Sequence, residues 1–330
     1  MQSGSDAPAR ATARTIVAMT TSLIVAASAV AACVAPHLPA TTAAVTLPSQ
    51  IRVRVNGAVR VVPIEAYVAG SALSEVSPTS ASDAVARRIF EVQAVLARTY
   101  AAAHVGRHSR EGFDLCDSTH CQLYQPDRLR TSRFADLARD ATSVTAGLVI
   151  TFGHRVADAL YHADCGGHTA SGEAVWGGAP EPYLHGVRDQ APGLTHTQWS
   201  LELAPDELRR ALVRDPRTDV GRRLDAIRVA RRDASDRASS IELRGEHTRV
   251  VRGEDFRAAL NATLGDRAIK STRFTVAKTG GAFRFSGSGF GHGVGLCQVG
   301  ASARAKRGDS LQQILTAYYR GAVLVKATDR

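Results

Sequence analysis

The segment Ser286-Gly-Ser-Gly-Phe-Gly-His-Gly-Val-Gly-Leu-Cys-Gln-Val-Gly-Ala301 sets His292 among glycines at alternate positions from Gly287 to Gly295. Glycine loses more freedom on folding than any other residue, so such a run marks backbone that needs positive φ or very close approach. The pattern predicts a formed binding loop around the imidazole. Cys116, His120 and Cys121 make a second constellation. Three thiol and imidazole donors in one short loop suit the Cys/His shell of structural zinc, and a Cys116 to Cys121 disulfide suits an oxidising compartment. Cys165, before Gly166-Gly167, and Cys297, after His292, invite a thiol nucleophile with an imidazole base, which is peptidase chemistry. No third, orienting residue follows from the sequence, so these two do not define a dyad. Glu75 stands near the end of a short helix before Pro78. There the negative end of the helix dipole, together with burial, raises a carboxyl pKa towards that of a general acid.

The elements that must hold these groups are readable locally. Ile51 to Val55 and Val59 to Val62 alternate around Asn56-Gly57 as a hairpin. Pro63 opens the helix that ends near Glu75. Ser80 and Asp83 form a cap for a longer one with Val85, Ile89, Val92, Leu96 and Tyr100 in a stripe. Val144 to Tyr161 reads as paired strands. Residues of about 195–270 read as an arginine-rich inserted subdomain, with helices at Pro205 to Leu212 and Asp255 to Leu264, carrying little of the chemistry. Asp309 and Gln312 cap a last helix through Tyr318. Without a regular βαβ rhythm the fold is expected to be α+β, mixed helices and antiparallel strands around a central cleft.

Arg10 and Arg14 precede an apolar run from Thr15 to Ala32, the pattern of an export signal over residues 1–32 or of a membrane anchor. Val30-Ala31-Ala32-Cys33 has the form of a lipoprotein cleavage site, with lipid on Cys33 as the membrane attachment. An Ala/Thr/Pro linker follows over 33–48. Export makes nucleic acid an improbable partner for the net charge of +10 and directs attention to acidic polymers of the cell envelope. A composition 44% hydrophobic and 22% charged is that of a globular chain with a core.

Phe90-Glu-Val-Gln-Ala-Val-Leu-Ala-Arg-Thr-Tyr-Ala101, Asp114-Leu-Cys-Asp-Ser-Thr-His-Cys-Gln-Leu-Tyr124, Tyr161-His-Ala-Asp-Cys-Gly-Gly-His-Thr169 and Gly289 to Ala301 together resemble the stage II sporulation protein D family, which includes the amidase enhancer LytB. The resemblance implies a peptidoglycan-acting domain over 49–325. It further implies a lytic transglycosylase on glycan strands stripped of stem peptides, or a binding module without catalysis that stimulates a cell-wall amidase. Ser74-Glu75-Val76-Ser77-Pro78 occupies the place of the family's Glu-Met-Pro-like motif, with an extra residue before the proline, which makes Glu75 the acid/base. Lytic cleavage needs only one such group, because the sugar's own 6-hydroxyl closes on C1, whereas hydrolytic glycosidases usually use two carboxyls. Zinc in some relatives matches Cys116, His120 and Cys121. His108 is the expected fourth ligand, ahead of His104 and His162. Gln93, Arg98, Tyr124, Gly166, Gly167, His292 and Gln298 are expected to line the sugar groove; Arg98 has an alternative as partner of Glu91 or Asp117, and Tyr124 as core.

Overall fold

The computed structural model describes residues 45–79, 81–190 and 193–329. The expected export signal, Cys33, the linker up to residue 44 and the Ser80 cap lie outside them. The fold is α+β, with helices interspersed among small, mainly antiparallel sheets.

Strands Gln50–Val55 and Ala58–Pro63 pair with Ile51 opposite Val62 and Val55 opposite Ala58. Asn56 and Gly57 both take positive φ, 49° and 82°, as a type I′ turn requires. Leu115–Cys116 adds in parallel beside Val53, which fixes the first cysteine of the Cys/His loop on a sheet edge. Pro63 precedes helix α1, Ile64–Glu75, which is buried along nearly all its length. The helix stops because Val76 is extended and Pro78 follows. Helix α2, Asp83–His104, starts after Ser82 and buries Phe90, Ala94, Val95, Leu96, Ala97 and Ala101. Arg128–Thr131 (α3) and Ala135–Val144 (α4) pack on α1. Leu148–Phe152 lies between Arg155–Val156 and Val323–Lys326. Tyr161–His162 then runs parallel to Leu296–Cys297, and Gly172–Trp176 forms α5.

Residues 198–288 build a lobe with its own core. Gln198–Leu203, Ala282–Ser288 and Phe274–Thr279 form one antiparallel sheet, and Leu224–Arg232, Ala238–Gly245 and Arg249–Arg252 another. With Pro205–Leu212 (α6) and Gly253–Leu264 (α7) they enclose Trp199, Leu208, Ile241, Leu243, Phe256, Phe274 and Phe285. The chain returns through the glycine segment to Gln298–Lys306 (α8) and Leu311–Tyr318 (α9). α9 begins one residue later than its sequence suggests: Ser310 and Gln313 make the reciprocal capping box, while Asp309 is held by Arg307. Among the described residues no helix is long and apolar enough to cross a membrane.

Candidate active site

Glu75 is the last residue of α1, half-buried in a cleft of 840 Å³. Its Oε1 accepts the Leu123 amide at 2.7 Å. Behind it lies a directed chain of donors. Tyr67 gives its hydroxyl proton to Gln122 Oε1 at 3.0 Å, and Gln122 Nε2 donates to the Tyr161 hydroxyl at 3.2 Å. Tyr161 lines the cleft together with Glu75, its own hydroxyl proton not used by Gln122. Burial pushes the Glu75 pKa up, against the Leu123 amide and the Tyr161 hydroxyl, which favour the ionised form. The result is a carboxyl biased to hold its proton, with the Leu123 amide already in place to stabilise it once the proton leaves. Ser74 ties the same helix end to the next loop by accepting the Gln125 amide at 2.9 Å.

The glycine segment supplies the opposite wall. His292 Nδ1 accepts the Val294 amide at 3.1 Å, so Nε2 carries the proton and donates it to the Tyr161 carbonyl at 3.0 Å. Burial, with Arg257 and Arg237 close by, pushes the ring's pKa down to about 3. His292 is therefore neutral, and both nitrogens are used inside the protein. It faces the cleft with its ring, 5.1 Å from Trp176, rather than with a free nitrogen for sugar hydroxyls. The glycines serve close packing within the chain. A Cβ on Gly295, at φ 72°, would stand 1.9 Å from the Leu160 carbonyl, and one on Gly293 would meet the Arg237 guanidinium at 2.3 Å.

The other expected groove residues divide. Gln298 lines the cleft and donates to Gln93 Oε1 at 3.2 Å; Gln93 itself is buried behind it. Arg98 is not a groove residue. Fully buried in α2, it forms a two-pronged pair with Glu65 and donates to the Leu148 and Thr142 carbonyls, so neither Glu91 nor Asp117 is its partner. Tyr124 is core, 5.0 Å from the Tyr67 ring. Gly166 and Gly167 turn at positive φ in a separate concavity with His168, Arg188 and Arg273. Residues not expected in the groove complete the cleft: Tyr161, the half-exposed Trp176, Phe290 and, from the arginine-rich lobe, Glu254, Arg257, Asp266 and Arg267. That lobe is a wall of the site and not a peripheral addition. His162 also lines the cleft, its Nδ1 donating to the Val294 carbonyl and its Nε2 buried without a partner among the described residues.

Next to Glu75, four donors converge: His108, Cys116, His120 and Cys121 have their ligand atoms within 4.8 Å of one another. Cys121 Sγ lies 3.4 Å from His108 Nε2, and His120 Nδ1 is 3.7 Å from each sulfur. Tetrahedral zinc, with bonds of about 2.3 Å to sulfur and about 2.05 Å to nitrogen, places unlike donors about 3.6 Å apart, so these residues fit the ion. The other nitrogen of His108 bonds Glu111 at 2.5 Å, the carboxylate brace that metal-binding imidazoles use to fix tautomer and orientation. Thr119, His120 and Cys121 also line the cleft, and Leu123, the donor to Glu75, lies on the same loop.

These features define a two-lobed α+β protein with a carboxyl at a helix end facing a cleft of mixed polar and apolar lining. Residues 54–152 match the stage II sporulation protein domain, and residues 192–295 match a domain of unknown function. It is 31% identical to an uncharacterized protein of Brachyspira hyodysenteriae, over 79% of this chain and 66% of that protein. It is 26% identical to stage II sporulation protein D of Bacillus amyloliquefaciens, over 82% of this chain and 77% of the relative. Identity to the amidase enhancer of Bacillus subtilis is 25% over 71% of this chain, which spans only 37% of that longer protein.

Proposed function

We propose that this is a peptidoglycan-acting protein of the cell envelope that cleaves glycan strands as a lytic transglycosylase, with Glu75 as its acid/base. The observation that carries this reading is the Glu75 carboxyl, its pKa raised by burial, inside a groove large enough for several sugars. Protonated Glu75 gives its proton to the glycosidic oxygen, and the bond to C1 breaks. The carboxylate then takes the proton of the muramic acid 6-hydroxyl as that oxygen bonds to C1, leaving a 1,6-anhydro end and consuming no water. The Leu123 amide holds the carboxylate between the two transfers. Trp176 and the His292 ring offer flat apolar faces to sugar rings, and Gln298 a polar group.

Zinc belongs to the same proposal. His108, Cys116, His120 and Cys121 would hold it, and it would stiffen the loop that presents the Leu123 amide. A disulfide between Cys116 and Cys121 would leave two imidazoles turned inward on the sulfurs with nothing to bind.

A second reading rests on the relative named amidase enhancer: the groove binds glycan without cutting it, and the protein stimulates a cell-wall amidase. Incubation of the purified protein with peptide-free glycan, read by mass spectrometry for 1,6-anhydromuramyl ends, separates the two. Ends from the wild type and none from Glu75→Gln support the enzyme. Equal ends from both remove Glu75 from the mechanism, and ends from neither with binding intact favour the module.

A further inference from the structure

Cys165 and Cys297 lie outside the Cys/His loop and have no part in the cleavage chemistry. Both are completely buried, in the apolar cluster of Ala170, Val294, Leu296 and Ala301, and both are thiols in the structure. Their sulfurs lie within 4.8 Å of each other and of His162. The main chains are immediate neighbours: the Cys165 amide is 3.2 Å from Cys297 Sγ, and Tyr161–His162 is paired with Leu296–Cys297. Their position in the chain is as telling as the distance. Cys165 stands before residues 198–288 depart to build the second lobe, and Cys297 stands where the chain has returned, at the N-cap of α8.

We propose that Cys165 and Cys297 are joined by a disulfide in the exported protein, stapling the segment that follows Tyr161–His162 to the start of α8. Each thiol gives up its hydrogen as the S–S bond forms. The two electrons and two protons go to a disulfide donor of the oxidising compartment, a thiol–disulfide oxidoreductase or a small-molecule disulfide, which leaves as two thiols through a mixed-disulfide intermediate. Closure joins segments already in contact, with the two sulfurs within 4.8 Å of each other. Only one group around the sulfurs uses a thiol proton, Asp189, which accepts from Cys165 Sγ. Cys297 Sγ accepts the Cys165 and Gly300 amides and Cys165 Sγ accepts the Gly167 amide, contacts a cystine sulfur retains. Asp189, 3.9 Å from Cys165 Sγ, already takes the Tyr318 hydroxyl at 2.6 Å and Arg304 at 3.3 Å. The bond closes a loop of more than a hundred residues, the length at which a cross-link removes most entropy from the unfolded chain.

The test uses the full chain, refolded in a glutathione redox buffer and denatured with iodoacetamide without reductant. The expected result is a peptide pair linked through positions 165 and 297, 2 Da lighter than the sum of its thiols. The wild-type Tm is expected to fall by about 10 °C on reduction. The Cys165→Ser/Cys297→Ser double variant keeps a hydroxyl cap on α8 and is expected to lack that fall, which separates it from any effect of reductant on the Cys/His loop. Alkylation of both cysteines in the oxidised sample overturns the proposal. So does a second bound zinc lost in the double variant, which would make His162, Cys165 and Cys297 a metal site. Neither outcome depends on whether the protein cleaves glycan.

Discussion

Replacing Glu75 by Gln separates the chemistry from the fold, because the amide keeps the shape and loses the proton. Gln Oε1 still accepts the Leu123 amide, so the contact that positions the side chain at 2.7 Å survives. A positioned general acid contributes about 10²–10⁴-fold, and a group that serves both steps stands at the upper end, so formation of anhydro ends should fall by about 10³-fold or more, roughly 4 kcal/mol of barrier. Stability should move the other way. The folded pKa of Glu75 is raised above the ordinary 4.5 because burial disfavours the charge. The folded state therefore binds the proton more tightly than the unfolded chain, and stability is progressively lost as pH climbs from about the unfolded value through the folded one. Gln carries no charge, so the Tm difference between variant and wild type should grow in the variant's favour across that window and be small below it. The paired assay is a rate of anhydromuramyl ends and a set of melting curves from acid to neutral pH. A variant that loses activity only because its Tm collapses, or whose Tm difference is flat with pH, would refute the assignment of Glu75 as a buried proton-holding acid.

Removal of the metal-type cluster is expected to act on the fold. Cys121→Ser should lose one equivalent of zinc, read by elemental analysis, and about 4 kcal/mol of stability if free zinc stands a thousandfold above its Kd, a Tm fall on the order of 10 °C. Arg98→Met should cost about 2–4 kcal/mol in denaturant unfolding, because it strands two carbonyls in the core as well as Glu65, whose side chain is 37% exposed and recovers part of the loss by hydration. The same variant should leave the KM for glycan unchanged in the folded fraction.

Local patterns carried much of this molecule into view before any coordinates. Asn56-Gly57, the apolar stripe of α2 and the stop at Glu75 are each decided by residues within a turn or two of one another, and the structure has them there. His108 was reachable because it lies close in sequence to Cys121. What escaped was set by distant partners. Arg98 reads as a binding residue until Glu65 arrives from another helix. The glycines read as room for a ligand until Leu160 and Arg237 fill it. Trp176, Tyr161 and Arg257 come from three segments that only the return of the second lobe brings to one cleft. No spacing encodes that meeting.

The second lobe also brings a rival carboxyl. Glu254 lines the same cleft, and burial pushes its pKa up as well. Its setting is nevertheless opposite to that of Glu75. Glu254 lies in the first turn of α7, where the positive end of the helix dipole favours the ionised form, and Arg257 Nη1 is paired with it at 2.5 Å. Glu75 closes a helix, where the dipole opposes ionisation, and no guanidinium is paired with it among the described residues. The setting of Glu75 is the one that suits a donor arriving protonated, while Glu254 is held in an ion pair with Arg257. Glu254→Gln should keep anhydro-end formation within about tenfold of wild type and show its cost mainly in KM, through a loosened Arg257. Equal and complete loss in Glu254→Gln and Glu75→Gln, with both proteins folded, would mean that two carboxyls share the chemistry and that a hydrolytic mechanism, with water as the nucleophile, has to replace the lytic one.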